Sequence, residues 1–188
     1  SIAPGSDVLL KHVGMNPTRV GVLNILTLMG ADISVLNPRE IGGEPVADLQ
    51  VRYAPLHGID IPEDEVPLAI DEFPALFIAA ACASGTTTLR GASELRVKES
   101  DRIAAMAEGL DTLGIKNEPT PDGIVIEGGK LGGGSVNTFH DHRIAMAFAI
   151  AGLRASAAIE ILDCDHVATS FPGFAELISS AGLRLEAR

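Results

Sequence analysis

The chain has 188 residues, 46% hydrophobic and 21% charged, which is enough to enclose one apolar core. A formal charge of −11 leaves no basic stripe for a nucleic-acid backbone, although a local cluster of cations can still hold a small anion on an acidic surface. There is no signal or transit segment and no apolar stretch long enough to span a membrane, and two cysteines, Cys82 and Cys164, are too few for a disulfide framework; these features predict a cytoplasmic protein with buried, reduced thiols.

The first predicted strand covers residues 7–13. Asn16-Pro17 then reads as a helix start, with Asn16 as cap and Pro17 in the first turn. Val22, Ile25, Leu26 and Met29 recur at helical spacing along that helix, which Gly30 ends. Residues 32–36 and 46–53 read as strands separated by a Gly42-Gly43 turn, and residues 57–67 as an acidic, turn-rich surface segment. Residues 73–83 are apolar on every side, which a surface helix is not. A threonine-rich strand at 86–90 leads to a charged run and then to a helix carrying Ile103, Met106, Ala107, Leu110 and Leu113, stopped by Gly114.

Short strands are predicted at 115–118 and 124–127, separated by Pro121-Asp122-Gly123. Gly132-Gly133-Gly134 reads as a loop, and not a phosphate loop, because no Lys-Ser/Thr follows it. A second wholly apolar helix, 144–153, follows Asp141 as its cap; a strand at 158–162, a helix from Phe171-Pro172 to near Gly182 and a strand at 183–186 complete the chain.

Two unit types alternate in this order. One is an Asp-capped apolar helix followed by a strand, beginning at Asp71 and Asp141; the other is an amphipathic helix stopped by Gly30, Gly114 or Gly182 and followed by a strand. The alternation begins half a repeat late, which predicts a further apolar-helix unit upstream of Ser1. All-apolar helices must lie inside, with sheets wrapped around them and their N-termini gathered at a common end, where their dipoles favour anions.

The charged run Arg96-Val97-Lys98-Glu99-Ser100-Asp101-Arg102 is the chemical centre of the sequence. Its plain reading is a solvated helix face. Its other reading is a polyanion site, since such a site needs fixed cations, a helix start and a carboxylate able to move a proton. With Ser100 or Glu99 capping a helix that begins near Lys98, Lys98 and Arg102 fall one turn apart on one face. A rival reading takes His140 and His142, with Asp163, Cys164, Asp165 and His166 as partners, for the ligands of a metal-dependent hydrolase. That spacing matches no specific metal motif, and capping alone accounts for Asp141.

The heptapeptide at 96–102 closely resembles the signature of the 5-enolpyruvylshikimate-3-phosphate synthase family, the enolpyruvyl transferases of the shikimate pathway. Ile70-Asp71-Glu72-Phe73-Pro74, Asp141-His142-Arg143-Ile144-Ala145-Met146, Asn16-Pro17-Thr18-Arg19 and Thr169-Ser170-Phe171-Pro172 fit the same family in the same order. The resemblance covers the family's C-terminal part only. It implies an α/β fold: one inside-out α/β barrel domain spanning residues 1–188, built from βαβαββ repeats around buried helices, with an N-terminal partner domain missing from the chain.

The implied reaction transfers the enolpyruvyl group of phosphoenolpyruvate to the 5-hydroxyl of shikimate 3-phosphate and releases phosphate, without metal or organic cofactor. Carried over residue by residue, Asp71 contacts the shikimate hydroxyls and is the candidate base, Lys98 is a hydroxyl contact and Glu99 the proton-transfer carboxylate. Arg102 and Arg143 become phosphoenolpyruvate cations, a task that suits the arginine fork, and His142 a further substrate contact. A lysine common in the family is replaced here by Thr169. A sister reading, transfer to UDP-N-acetylglucosamine, shares the fold, but the Lys-Glu-Ser-Asp-Arg run favours the shikimate substrate. Because the other domain supplies further cations, the chain alone is expected to be inactive.

Overall fold

A computed structural model describes residues 1–186. Its first unit is β1 (Asp7–Gly14), α1 (Gly21–Leu28), β2 (Asp32–Ile41) and β3 (Glu44–Arg52), whose strands form an antiparallel sheet in the order β1-β3-β2. Val8 and Leu10 pair with Val51 and Leu49, which pair in turn with Ile33 and Val35, so the pleat gathers an aliphatic face. Asp7, Arg52 and Asp32 share the other face, joined by ion pairs. At the far end of the sheet both outer strands bulge around Asp48. Its carboxylate accepts from the His12 amide at 2.8 Å, Asn37 Nδ2 at 3.0 Å and Arg39 Nη2 at 3.2 Å, tying down two residues with left-handed backbones. The hydrogen bond from Asn37, then those from His12 and Arg39, hold the Asp48 pKa down at about 2.

The helix expected at Asn16 starts later. Asn16 Oδ1 accepts from the Thr18 amide at 3.0 Å and its hydroxyl at 2.8 Å, closing a turn that ends at Arg19. Helix α1 begins only at Gly21, where a Cβ would lie 2.7 Å from the Leu68 carbonyl carbon. The local asparagine geometry competes with the helix cap and wins.

Residues 57–67 do more than cover the surface. His57 and Asp60 form parallel bridges to Ser84 and Thr88, and Leu56, Ile61 and Val66 are buried. From this edge the chain runs through α2 (Phe73–Cys82), β4 (Thr86–Leu89), α3 (Arg102–Thr112), β5 (Asn117–Thr120) and β6 (Gly123–Glu127). The order is one βαβαββ unit, with the sheet arranged β4-β6-β5. Strand β5 starts two residues later than expected, because Ile115 is buried in the core and Asn117 turns back to Ala107 and Asp111.

The last unit contains β7 (Gly134–Asn137), α4 (His142–Ala151), β8 (Ile159–Leu162), α5 (His166–Ser170) and α6 (Phe174–Ser180). Strand β7 was hidden by its glycine-rich lead; it pairs in parallel with β8. The helix expected from Phe171 starts later, at Phe174, after Gly173 takes a left-handed backbone, and the short α5 before it was not expected. Residues 183–186 are not a strand.

The apolar helices behave as their composition demands. Phe73, Leu76, Phe77 and Ile78 of α2 and Ile144, Phe148 and Ala151 of α4 are buried, and the two helices pack together with β6 against α2 and β8 against α4. Each large side chain buried there stabilises the fold by about 1.5–3 kcal/mol. Glycines 30, 114 and 182 end their helices with φ of +91°, +78° and +104°, as expected. Among the described residues no helix is long and apolar enough to cross a membrane. The thiols are unpaired; Cys82 is half-buried and pushed by burial to a pKa of about 11, while Cys164 is exposed, contrary to expectation.

Helix α3 carries one glycine whose absence of side chain the packing requires. A Cβ on Gly109 would lie 2.2 Å from Phe148 Cζ and 2.8 Å from Val136 Cγ1. Gly109→Ala should therefore destabilise the protein by about 1–3 kcal/mol in urea unfolding, although helix propensity alone predicts stabilisation by about 1 kcal/mol.

Candidate active site

The starts of α2, α3 and α4 meet, and their charged side chains interlock there. Asp71 lies in a single 3₁₀ turn, Ile70–Glu72, immediately before α2. The cap expected of its side chain is not formed; Glu72 occupies the N-cap position without a side-chain cap bond. The Asp71 carboxylate faces cations instead: Lys98 Nζ and Arg19 Nη2 at 3.5 Å, Arg102 Nη1 at 3.6 Å and Arg143 Nη2 at 3.9 Å. Burial works against its ionisation, but Arg143, Lys98 and Arg102 outweigh that penalty and pull its pKa below the ordinary value of 3.8.

The charged run is built differently from the expected helix. Ser93–Val97 form a 3₁₀ turn, Lys98 is extended, and α3 begins at Arg102. The cap is Asp101, whose Oδ1 accepts from the Ala104 amide at 2.9 Å, rather than Ser100 or Glu99. Lys98 and Arg102 are thus not one helical turn apart, yet both reach Asp71. Lys98 also bonds Glu94; that bond and the Asp71 charge raise its pKa above the ordinary 10.5. Asp101 binds Arg96 at 2.7 Å in addition to capping α3.

Arg102 is the only charged side chain of the site's cations to be fully enclosed, 1% exposed. Its Nε donates to Asp141 Oδ2 at 2.8 Å and its Nη2 to Glu99 at 2.5 Å. Its Nη1 is buried without a hydrogen-bond partner, 3.6 Å from Asp71. That leaves a buried donor beside the Asp71 carboxylate but not bonded to it, with an energetic reason to donate to an anionic oxygen.

Asp141 is the residue that sequence reasoning took for a cap alone. It does cap α4, accepting from the Arg143 amide at 2.9 Å, but it is wholly buried and also receives Arg102 and the Ser100 hydroxyl at 3.1 Å. Burial opposes its ionisation; the Arg102 bond and charge, the Arg143 amide and Ser100 outweigh it and lower its pKa. The signal in the sequence was the Asp-His-Arg motif, which sets an acid two residues before a candidate cation. Arg143, at the start of α4, donates from Nη1 to the Asp71 carbonyl at 3.0 Å and lies 3.7 Å from Glu72. His142 is partly buried at the first position of α4.

Arg19, Glu72 and Asp141 were therefore missed as members of the cluster, while Asp71, Lys98, Glu99, Arg102 and Arg143 are brought together as the motifs imply. The rival metal set does not assemble: among the described residues no three His, Cys, Asp or Glu side chains could hold an ion, and His140 meets His166 edge to face at 5.4 Å.

Four cations, Arg19, Lys98, Arg102 and Arg143, stand against five carboxylates, Asp71, Glu72, Glu94, Glu99 and Asp141. The cluster therefore carries one carboxylate more than it has cations, so a polyanion must exchange partners with carboxylates or meet further cations from elsewhere.

Residues 1–178 match the family model described as EPSP synthase (3-phosphoshikimate 1-carboxyvinyltransferase). The chain is 68% identical over 186 residues to the 3-phosphoshikimate 1-carboxyvinyltransferase of Methylococcus capsulatus, covering 99% of this chain and 43% of that protein. It is 67% identical over 187 residues to the corresponding protein of Halorhodospira halophila, covering 99% of this chain and 42% of the relative. The chain thus spans less than half the length of these curated relatives. The solved EPSP synthase of Acinetobacter baumannii superposes with a TM-score of 0.96 at 58% identity, over 98% of this chain and 44% of that one. The enolpyruvyl transferase NikO of Streptomyces tendae shares the fold, with a TM-score of 0.72 at 17% identity, over 96% of this chain and 39% of that one.

Truncating either member of the buried Arg102–Asp141 pair strands a charge in the core. Asp141→Ala should cost about 3–5 kcal/mol in denaturant unfolding, and Asp141→Asn, which keeps an acceptor for the helix cap, should cost less. Because the folded pKa of Asp141 lies below its unfolded value, its contribution is complete above pH 3.8 and is lost as the pH falls through the lower, folded value. The acid limb of the stability curve should accordingly be shallower in Asp141→Asn.

Proposed function

Because the chain belongs to the EPSP synthase (3-phosphoshikimate 1-carboxyvinyltransferase) family, we propose that it forms one half of a cytoplasmic enzyme that transfers the enolpyruvyl group of phosphoenolpyruvate to the 5-hydroxyl of shikimate 3-phosphate. The observation that carries this reading is the meeting of Lys98, Arg102 and Arg143 around one carboxylate, Asp71, at the starts of three helices. Residues 1–188 act as one domain, and the active site lies in the cleft between it and an N-terminal domain.

In the first step the 5-hydroxyl oxygen bonds to the central carbon of phosphoenolpyruvate and gives up its proton, while the methylene carbon accepts one. In the second step a proton leaves the resulting methyl group, the double bond re-forms, and the carbon–oxygen bond to phosphate breaks. Asp71 is the base for the hydroxyl, Lys98 a contact to it, and Glu99 the group that moves the proton at the methylene carbon. Arg102, through its free Nη1, and Arg143 pair with the phosphoenolpyruvate oxygens, with His142 as a further substrate contact.

Arg143, Lys98 and Arg102, outweighing burial, lower the Asp71 pKa and so weaken it as a base. Anions that draw Lys98, Arg102 and Arg143 to themselves weaken the fields that depress its pKa, so substrate binding strengthens the base. The proposed chemistry uses neither metal nor organic cofactor. The excess of one carboxylate in this half supports the need for a second, cation-supplying domain.

The test is phosphate release from the two substrates. The polypeptide carrying this chain together with the missing half should turn over, and Asp71→Asn should lower kcat by about 10²–10⁴-fold with phosphoenolpyruvate binding largely retained. The 188-residue chain alone should release no phosphate; turnover by it alone would contradict the two-domain site.

A further inference from the structure

Glu72 has no role in the reaction outlined above, yet it stands between two guanidinium groups of the site. Its Oε1 accepts from Arg19 Nη2 at 3.4 Å and lies 3.7 Å from Arg143 Nη1. The same Nη1 donates to the Asp71 carbonyl at 3.0 Å. Arg143 is thus gripped from one side by consecutive residues of a single turn, through a backbone oxygen of one and a carboxylate of the next. Arg19 reaches the same Glu72 oxygen from a loop closed by Asn16.

We propose that Glu72 is a positioning residue for Arg143, fixing its fork toward the cleft, and that Arg19 in turn holds Glu72 in place. The inference rests on the reading of Arg143 as a phosphoenolpyruvate cation. Its physical basis is geometric. Arg143 is about one-third exposed, so little packing restrains its long side chain. Without Glu72, only the backbone oxygen and the more distant Asp71 carboxylate, at 3.9 Å, define its position. A flexible arginine loses side-chain entropy on binding that a pre-oriented one has already lost. Arg19 and Arg143 would also repel one another across the vacated place.

Positioning and simple charge predict opposite signs, which makes the proposal decidable. Glu72→Gln removes a negative charge beside an anion site, so electrostatics alone would tighten phosphoenolpyruvate binding. If Glu72 orients Arg143, the same change weakens it. In the full polypeptide that contains this chain, Glu72→Gln should raise KM for phosphoenolpyruvate by about three- to tenfold, with kcat and KM for shikimate 3-phosphate nearly unchanged. Arg19→Gln should shift the same constant in the same direction by less. In an Arg143→Gln background, Glu72→Gln should have no further effect on it. An unchanged or lowered KM in Glu72→Gln, or full additivity with Arg143→Gln, would overturn the proposal while leaving the transfer reaction intact. An inactive parent, by contrast, would remove the functional reading itself.

Discussion

The structure depends on a guanidinium placed where water cannot reach it. Arg102 opens α3, is 1% exposed, and binds the wholly buried Asp141 that opens α4. Enclosing these two charges is costly, and the pair survives because its geometry is short and its remaining valences are largely satisfied. Asp141 accepts from Arg102, Ser100 and a helix-start amide; Arg102 also reaches Glu99 and faces Asp71. The consequence is positional. Three helix starts that would otherwise be free to slide are locked at one end of the core, and the side chains leaving them converge.

Convergence requires the apolar helices to be interior. Helices α2 and α4 pack together with hardly a polar side chain along their length, and strands of the second and third units pack against them. A helix buried on every side can present charge only at its ends, so chemistry is confined to the turns just before Phe73 and His142. The middle unit shows the plan complete, from the edge at His57 to β6, and the last unit repeats its opening with β7, α4 and β8. The site is the place where equivalent turns of neighbouring units touch.

Much of this was legible in the sequence, for identifiable reasons. Composition found α2 and α4, wholly apolar and so interior, and period found α3, which buries one apolar face. Glycine stops at 30, 114 and 182 were legible because only a left-handed residue satisfies those helix ends. Strand β7 was not, since three glycines mask a parallel pairing fixed by tertiary contact. Nor was the start of α1, where Asn16 bonds to Thr18 and spends its side chain on a turn. In the cluster, motif matches named Asp71, Lys98, Glu99, Arg102 and Arg143, which do meet, but pattern alone misassigned Asp71 to a cap and gave Asp141 only half its work. A cap and an ion pair look the same in sequence; they differ in which neighbour arrives from 39 residues away.

The most direct test of this electrostatic arrangement is the titration of the aspartate carboxyl carbons by ¹³C NMR on the folded chain, with Asp71→Asn and Asp141→Asn used for assignment. The account predicts that Asp71 and Asp141 both titrate with midpoints below 3.8, held ionised by the shared cations. A midpoint at or above 3.8 for either carboxyl would mean that the guanidinium groups do not enclose it, and would contradict the arrangement of the whole site.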